Sequence, residues 1–250
     1  MLPRVGSDRR AARFVYARPF DLADKRPRIG LVVTGLGMSD ADSRNAIENL
    51  PGPVTLAFSP YASAPDPLLD LARSKGHELL ISIPMEPQGY PLNDAGSRSL
   101  LTGADPAQNR LNLEWALSRI QGYVGATGAL EGMRGERFAD QTTNLSQVLE
   151  ELGRRGLLYV DPRPGRGPLQ TAALPTRDVD LVVDDPPARA EIEAKLAALE
   201  RLAREKGSAL GLAGPLRPVT VERIAAWARG LDEKGIALAP VSAMVEAPPK

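Results

Sequence analysis

Cysteine is absent from the 250 residues, which removes disulfides, thiolate zinc sites and cysteine nucleophiles together and leaves the redox compartment open. Histidine occurs once, as His77, so a metal site with two imidazole ligands cannot be built from one copy of the chain. Excess charge is lacking too. The 31 basic residues balance 31 acidic ones and the signs are interspersed, so no long-range field draws a polyanion and nucleic acid is not an expected partner. No stretch approaches the roughly 18 apolar residues of a spanning helix, and residues 1–7 lack the apolar run of a signal peptide. Membrane insertion is therefore not expected, although Met1 leads straight into an Arg-rich segment that reads like the interior of a longer protein.

What is present is a rhythm. Residues 1–27 are irregular and read as an arm, which Phe14, Val15, Tyr16 and Phe20 should pull onto the body because they are costly to leave in water. From Arg28 to the end at residue 250, one domain is expected, because short apolar runs rich in branched residues alternate with segments of helical spacing. The runs are 29–33, 54–58, 79–83, 123–125, 157–160, 179–183, 209–212 and 236–241, and the helical stretches are 40–50, 67–75, 106–120, 145–155, 188–206 and 219–234. Ile192, Leu196, Leu199 and Ala203 make one apolar stripe on the fifth helix. Gly76, Gly156, Gly207 and Gly235 each follow a helical stretch and precede an apolar run, as left-handed helix stops do. Continuous rather than alternating runs imply strands covered on both faces, so the expected fold is α/β, a parallel sheet of about seven or eight strands inside a helical layer. The long aperiodic segment 84–102 should cover one end of it.

Several chemistries are excluded by motif. There is no Gly-x-Ser-x-Gly elbow, no phosphate loop and no complete dinucleotide fingerprint around Gly35 and Gly37, so no cofactor is expected. Ser59 would need His77 as its base from the wrong end of the sheet, since His77 sits at a helix-to-strand turn, the structural end of a βα fold. Carboxylates after strands remain: Glu86, Asp161 with Arg163 two residues on, and Asp184 with Asp185. Paired carboxylates could serve glycoside hydrolysis. The plainer expectation is that Asp161 and Arg163 form an ion pair bracing the barrel mouth and that Asp184 and Asp185 cap the helix that follows.

Residues 50–61, 76–87, 122–125 and 155–161, above all Thr55–Tyr61 and Pro84-Met85-Glu86-Pro87, resemble the divergent polysaccharide deacetylase family of Gram-negative bacteria over about Arg28 to Val245. The resemblance implies the irregular β/α barrel of NodB-type deacetylases, carbohydrate metabolism and an envelope, periplasmic setting. It also implies where chemistry should sit. The family ends its first strand in Asp-Asp-Leu-Gly, one carboxylate acting as base and the other as metal ligand; here those positions are Thr34 and Gly35. The family's Asn-Asn-His-Met-Gly-Ser-Arg-Phe corresponds to 131–138, so its ligand histidine becomes Met133, and its Gly-His-Pro becomes Ala213-Gly214-Pro215. A thioether and a hydroxyl do not replace imidazole and carboxylate on a hard or borderline cation, so no metal is expected. Glu131 or Glu136 could move in as an oxygen ligand, while Asp161 and Arg163 match the family's Asp-Ser-Arg.

The leading expectation is therefore a catalytically degenerate member that binds a glycan, such as a peptidoglycan-related ligand, or an envelope protein through the former active-site face. Two alternatives stay open. One is a deacetylase or hydrolase with relocated carboxylates Glu86, Glu136, Asp161 and Asp184, and the other is an envelope scaffold.

Overall fold

The computed structural model describes residues 2–167, 169 and 174–245. The arm carries one short helix, α1 (Ala12–Val15), and leads into β1 (Arg28–Leu36), the longest strand. Then follow α2 (Asp40–Asn49), β2 (Thr55–Phe58), α3 (Asp66–Ser74), β3 (Leu79–Ser82), α4 (Pro106–Leu117), β4 (Gly125–Thr127), α5 (Glu136–Ala139), α6 (Thr142–Arg154) and β5 (Leu158–Asp161). The chain continues through β6 (Thr176–Asp178), β7 (Leu181–Val182), α7 (Arg189–Lys206), β8 (Ser208–Ala213), α8 (Pro218–Ala228) and β9 (Ala237–Leu238). All four glycines expected as helix stops have positive φ, between 67° and 83°.

Every strand pair is parallel, in the order β6-β5-β4-β3-β2-β1-β8-β7. The sheet curls into an irregular barrel whose lumen is packed by Val32, Ala57, Leu80, Leu158, Val160 and Leu210. The outer faces of the same strands, through Leu31, Val33, Ile81 and Tyr159, meet the helices through Ile47, Leu69, Leu117, Leu149 and Leu196. Both faces are thus covered, which is why the strands read as unbroken apolar runs.

Two expected strands are altered. The run 179–183 is not one strand: β6 pairs with β5 and β7 pairs with β8, so the chain changes partner between them. The Val179 N–H donates to Asp161 O at 2.9 Å and the Asp180 N–H to Leu210 O at 2.8 Å, so one short segment joins the two ends of the curled sheet. The run 236–241 shrinks to β9, which pairs with Arg28 and Ile29 at the start of β1. Proline at position 240 has no N–H to continue a ladder, and a short 3₁₀ turn over Val241–Ala243 follows.

The arm docks, but by other residues than expected. Ala11 and Ala12 are buried while Phe14, Val15 and Tyr16 remain exposed. Arg18 anchors it, its side chain donating to Gly76 O at 2.6 Å and its backbone N–H to Glu78 at 2.8 Å. Phe20 is half-buried beneath the Arg28 guanidinium, 5.2 Å away. Among the described residues no helix is long and apolar enough to cross a membrane.

Candidate functional site

The C-terminal ends of the strands form the mouth of the barrel, the end at which βα folds carry chemistry. Strand β1 reaches it at Thr34 and Gly35 and β8 at Ala213, followed by Gly214. These ends approach very closely: the Thr34 hydroxyl donates to Ala213 O at 3.3 Å, and a Cβ built on Gly214, whose φ is +143°, would lie 2.0 Å from Thr34 Oγ1. Thr34 and Gly214, two of the positions at which the family resemblance places catalytic groups, therefore touch across the β1–β8 seam.

The third such position lies on the loop after β4. Leu130 and Met133 exchange backbone hydrogen bonds of 2.9 and 2.8 Å, leaving Glu131 and Gly132 as the centre of a two-residue turn. Both have positive φ, 49° and 83°, which is the geometry of a type I′ turn and favours Asn, Asp or Gly. Glu131 is neither glycine nor a short side chain, so its place there is strained. Its carboxylate reaches back to the end of β1, where a Cβ on Gly35 would stand 3.4 Å from Glu131 Oε1. That oxygen is buried without a hydrogen-bond partner, and burial alone lifts the carboxyl above its ordinary value, with no charge or hydrogen bond opposing it.

The segment 84–102 folds over this end, as its length suggested. Glu86 N–H donates to Leu100 O at 2.8 Å and Leu100 N–H to Pro84 O at 2.9 Å, and residues 94–97 wall an open cavity of about 370 Å³ shared with Met38, Ser59, Tyr61, Glu131 and Met133. Ser59 and Tyr61 follow β2 and Met38 follows β1. Sequence reasoning passed over Met38, Tyr61 and Asp94 as site residues. The position of Met38 and Tyr61 just beyond strand ends was the available signal, whereas Asp94 lies inside the segment 84–102. A further buried polar atom at the end of β3, Ser82 Oγ, also lacks a partner, and a buried polar group left unpaired calls for an explanation.

The remaining carboxylates stay apart. Glu86 is buried and spoken for: Thr102 donates to it through N–H at 2.6 Å and hydroxyl at 2.7 Å, and Arg137 pairs with it at 2.9 Å. Glu136 pairs with Arg134 at 3.3 Å. Asp161, fully buried, holds Arg163 through contacts of 2.9 and 2.6 Å, and Arg163 also reaches Asp140 at 2.8 Å. This is the bracing ion pair expected from the sequence. The helix-cap expectation for Asp184 and Asp185 is corrected: the N-cap of α7 is Ala188, with no side-chain cap, and Asp185 is exposed. Asp184 instead accepts from Gly214 N–H at 3.0 Å and the Thr220 hydroxyl at 3.1 Å, because its strand delivers it beside β8 rather than into the helix turn. Burial pushes its carboxyl up despite these donors. His77 lies at the opposite end of the barrel, its ring nitrogens 2.8 and 3.1 Å from the carbonyls of Val54 and Ile47, and burial keeps its pKa below the usual imidazole range.

These residues do not fit a divalent metal of the kind deacetylases hold. The donors at the replaced positions and in the turn beside them are the Thr34 hydroxyl, the Met133 thioether and the Glu131 carboxylate, and among the described residues no three His, Asp or Glu side chains are grouped as ligands.

A curled parallel barrel with loops gathered over its C-terminal end is the NodB-like fold of carbohydrate esterases. A family 4 carbohydrate esterase from Streptomyces lividans, solved with acetate, superposes with a TM-score of 0.54 at 13% identity over 89% of this chain and 98% of its own. The catalytic domain of a peptidoglycan N-acetylglucosamine deacetylase from Eubacterium rectale gives 0.53 at 10% identity over 86% of this chain and 88% of its own. The chain itself belongs to the divergent polysaccharide deacetylase family, whose model matches residues 31–245. An uncharacterized protein of Agrobacterium tumefaciens, known from its crystal structure, is 34% identical over 98% of this chain and 99% of its own, with a TM-score of 0.91. No curated protein matches.

Proposed function

We propose that this chain is a catalytically degenerate polysaccharide deacetylase of the cell envelope, which binds a glycan at the barrel mouth without the metal-assisted hydrolysis of its fold relatives. The observation that carries the reading is the seam at the mouth. Thr34 and Gly214 interlock so closely there that a side chain at position 214 is sterically excluded, and a metal-binding imidazole at that position would need the seam rebuilt. The family and the deacetylase-fold relatives support a carbohydrate ligand; the envelope setting rests on the family alone.

The relocated-carboxylate alternative loses support because Glu86, Glu136, Asp161 and Asp184 are each committed to separate partners. The test is metal content by elemental analysis after incubation with zinc, manganese, cobalt and nickel, together with thermal melting and acetate release from N-acetylated oligosaccharides. No stoichiometric ion, no shift and no acetate are expected. One bound ion per chain that raises the melting temperature, or any acetate released at enzymatic rate, would overturn the reading.

A further inference from the structure

Three features of the mouth cavity go unexplained by loss of catalysis alone. The turn that holds Glu131 keeps a long carboxylate at a backbone position with φ 49°, where glycine or asparagine would be free of strain; persistent strain of this kind gathers where a side chain is needed. The Glu131 carboxylate is partly desolvated: Oε1 is shut off from solvent against the end of β1 without a partner, so a ligand in the cavity meets the carboxylate through its other oxygen, and a positive charge there would offset the cost of the desolvated group. The charged residues lining the cavity are Glu131 and Asp94, with no Lys, Arg or His among them, and the rest of the wall combines Met38, Met133, Tyr61 and Leu130 with Ser59 and residues 95–97.

From these features we propose that the cavity binds a protonated primary amine against Glu131, and that the glycan it reads carries free amino groups: a de-N-acetylated amino sugar rather than its acetylated form. An ammonium brings three donors and the positive charge that a lone, partly buried carboxylate lacks, so the pair gains a charge-assisted hydrogen bond. An acetamido group brings one donor and no charge, and a sugar hydroxyl satisfies the oxygen but not the charge. Thioethers and a phenol ring suit the apolar faces of a sugar skeleton. The glycan skeleton rests on the reading given above, whereas recognition of the amine stands on the cavity alone. The protein would then recognise the product of a deacetylation carried out elsewhere, and a deacetylating activity must supply its ligand.

The experiment is titration calorimetry on the full chain with glucosamine tetramer, N-acetylglucosamine tetramer and monomeric glucosamine, each repeated on Glu131→Gln and Asp94→Asn. The deacetylated tetramer should bind about tenfold or more tighter than the acetylated one, and Glu131→Gln should lose about as much, the range for a charged hydrogen bond; Asp94→Asn should lose less. Circular dichroism and melting of Glu131→Gln confirm the fold, which should survive because the side chain has no internal partner to lose. Equal binding of the two tetramers with no effect of Glu131→Gln would overturn amine recognition and leave the glycan reading standing. Binding of monomeric glucosamine that Glu131→Gln abolishes, with neither tetramer bound, would uphold the amine site and overturn the glycan reading. Absence of binding to all three would overturn both.

Discussion

Thr34, Gly214 and Glu131 show how single residues reshape the mouth. An alanine at position 214 would place its Cβ 2.0 Å from Thr34 Oγ1 at a backbone angle, φ +143°, that disfavours any side chain. Gly214→Ala should therefore destabilise the protein by about 1–3 kcal/mol, the range for overpacking, and Thr34→Ala should recover part of that loss in the double variant, because it removes the clashing oxygen. Urea unfolding of the four proteins checks this; additive effects would mean that the two residues do not share the seam. Glu131→Gly should act in the opposite direction, raising stability by about 1 kcal/mol as turn strain and a desolvated carboxylate are both relieved, while losing any ligand held by Glu131. The replaced positions themselves could be found in the sequence by resemblance, as could the Asp161–Arg163 pair, which needs only two residues of spacing. The aim of Glu131 could not, because it depends on a turn that only tertiary pairing of Leu130 with Met133 creates.

Among the elements, the segment from β6 to β7 carries most responsibility per residue, since it ends one edge of the sheet and begins the other. Asp180 fastens the switch. It accepts from the Leu210 N–H at 2.9 Å and pairs with Arg177 at 2.5 Å and Lys206 at 3.2 Å. Removing it in Asp180→Ala leaves the Leu210 N–H without its acceptor and takes one of two carboxylates from the largely buried Arg177, which keeps Asp178 at 3.2 Å, for a cost of about 1–3 kcal/mol; Asp180→Asn keeps an acceptor for Leu210 and should cost less. Denaturant midpoints measure both, and hydrogen exchange at Leu210 should rise more in the alanine variant than in the asparagine one. The βα rhythm and the helix stops were legible because period and turn chemistry are local properties. The change of partner at residues 179–180 was not, since a run of Val and Leu looks the same whether it pairs with one neighbour or two. The capping expectation for Asp184 failed for the same reason: strand-end position is local, but the donors it meets on β8 and α8 are not.

At the scale of the whole molecule, the closed end of the barrel gathers the arm and the last described turn onto one carboxylate. Glu78 accepts from the Arg18 N–H at 2.8 Å, from the Ser242 N–H at 3.0 Å and from the Ser242 hydroxyl, so residues far apart in the chain converge on it. Burial nevertheless raises its carboxyl above the ordinary value, outweighing these donors. A carboxyl raised in the folded state takes up a proton more readily there than in the unfolded chain, so its contribution to stability is most favourable at or below the unfolded value and declines as pH climbs through the raised one. Glu78→Gln abolishes that titration but puts an amide where one backbone donor expects an acceptor, a loss of about 1–3 kcal/mol. The penalty of the variant relative to the native chain should accordingly be largest in mild acid and shrink toward neutral pH. His77, whose depressed pKa makes stability rise with pH in the window below the ordinary imidazole value, is present in both proteins, so the difference between them isolates Glu78. Guanidinium unfolding of both chains across that range, with limited proteolysis of the arm as a second readout, measures it. A penalty that instead grows with pH would mean that the donors from Arg18 and Ser242 outweigh burial, and that the carboxylate clasping the two ends of the chain is held in its charged form.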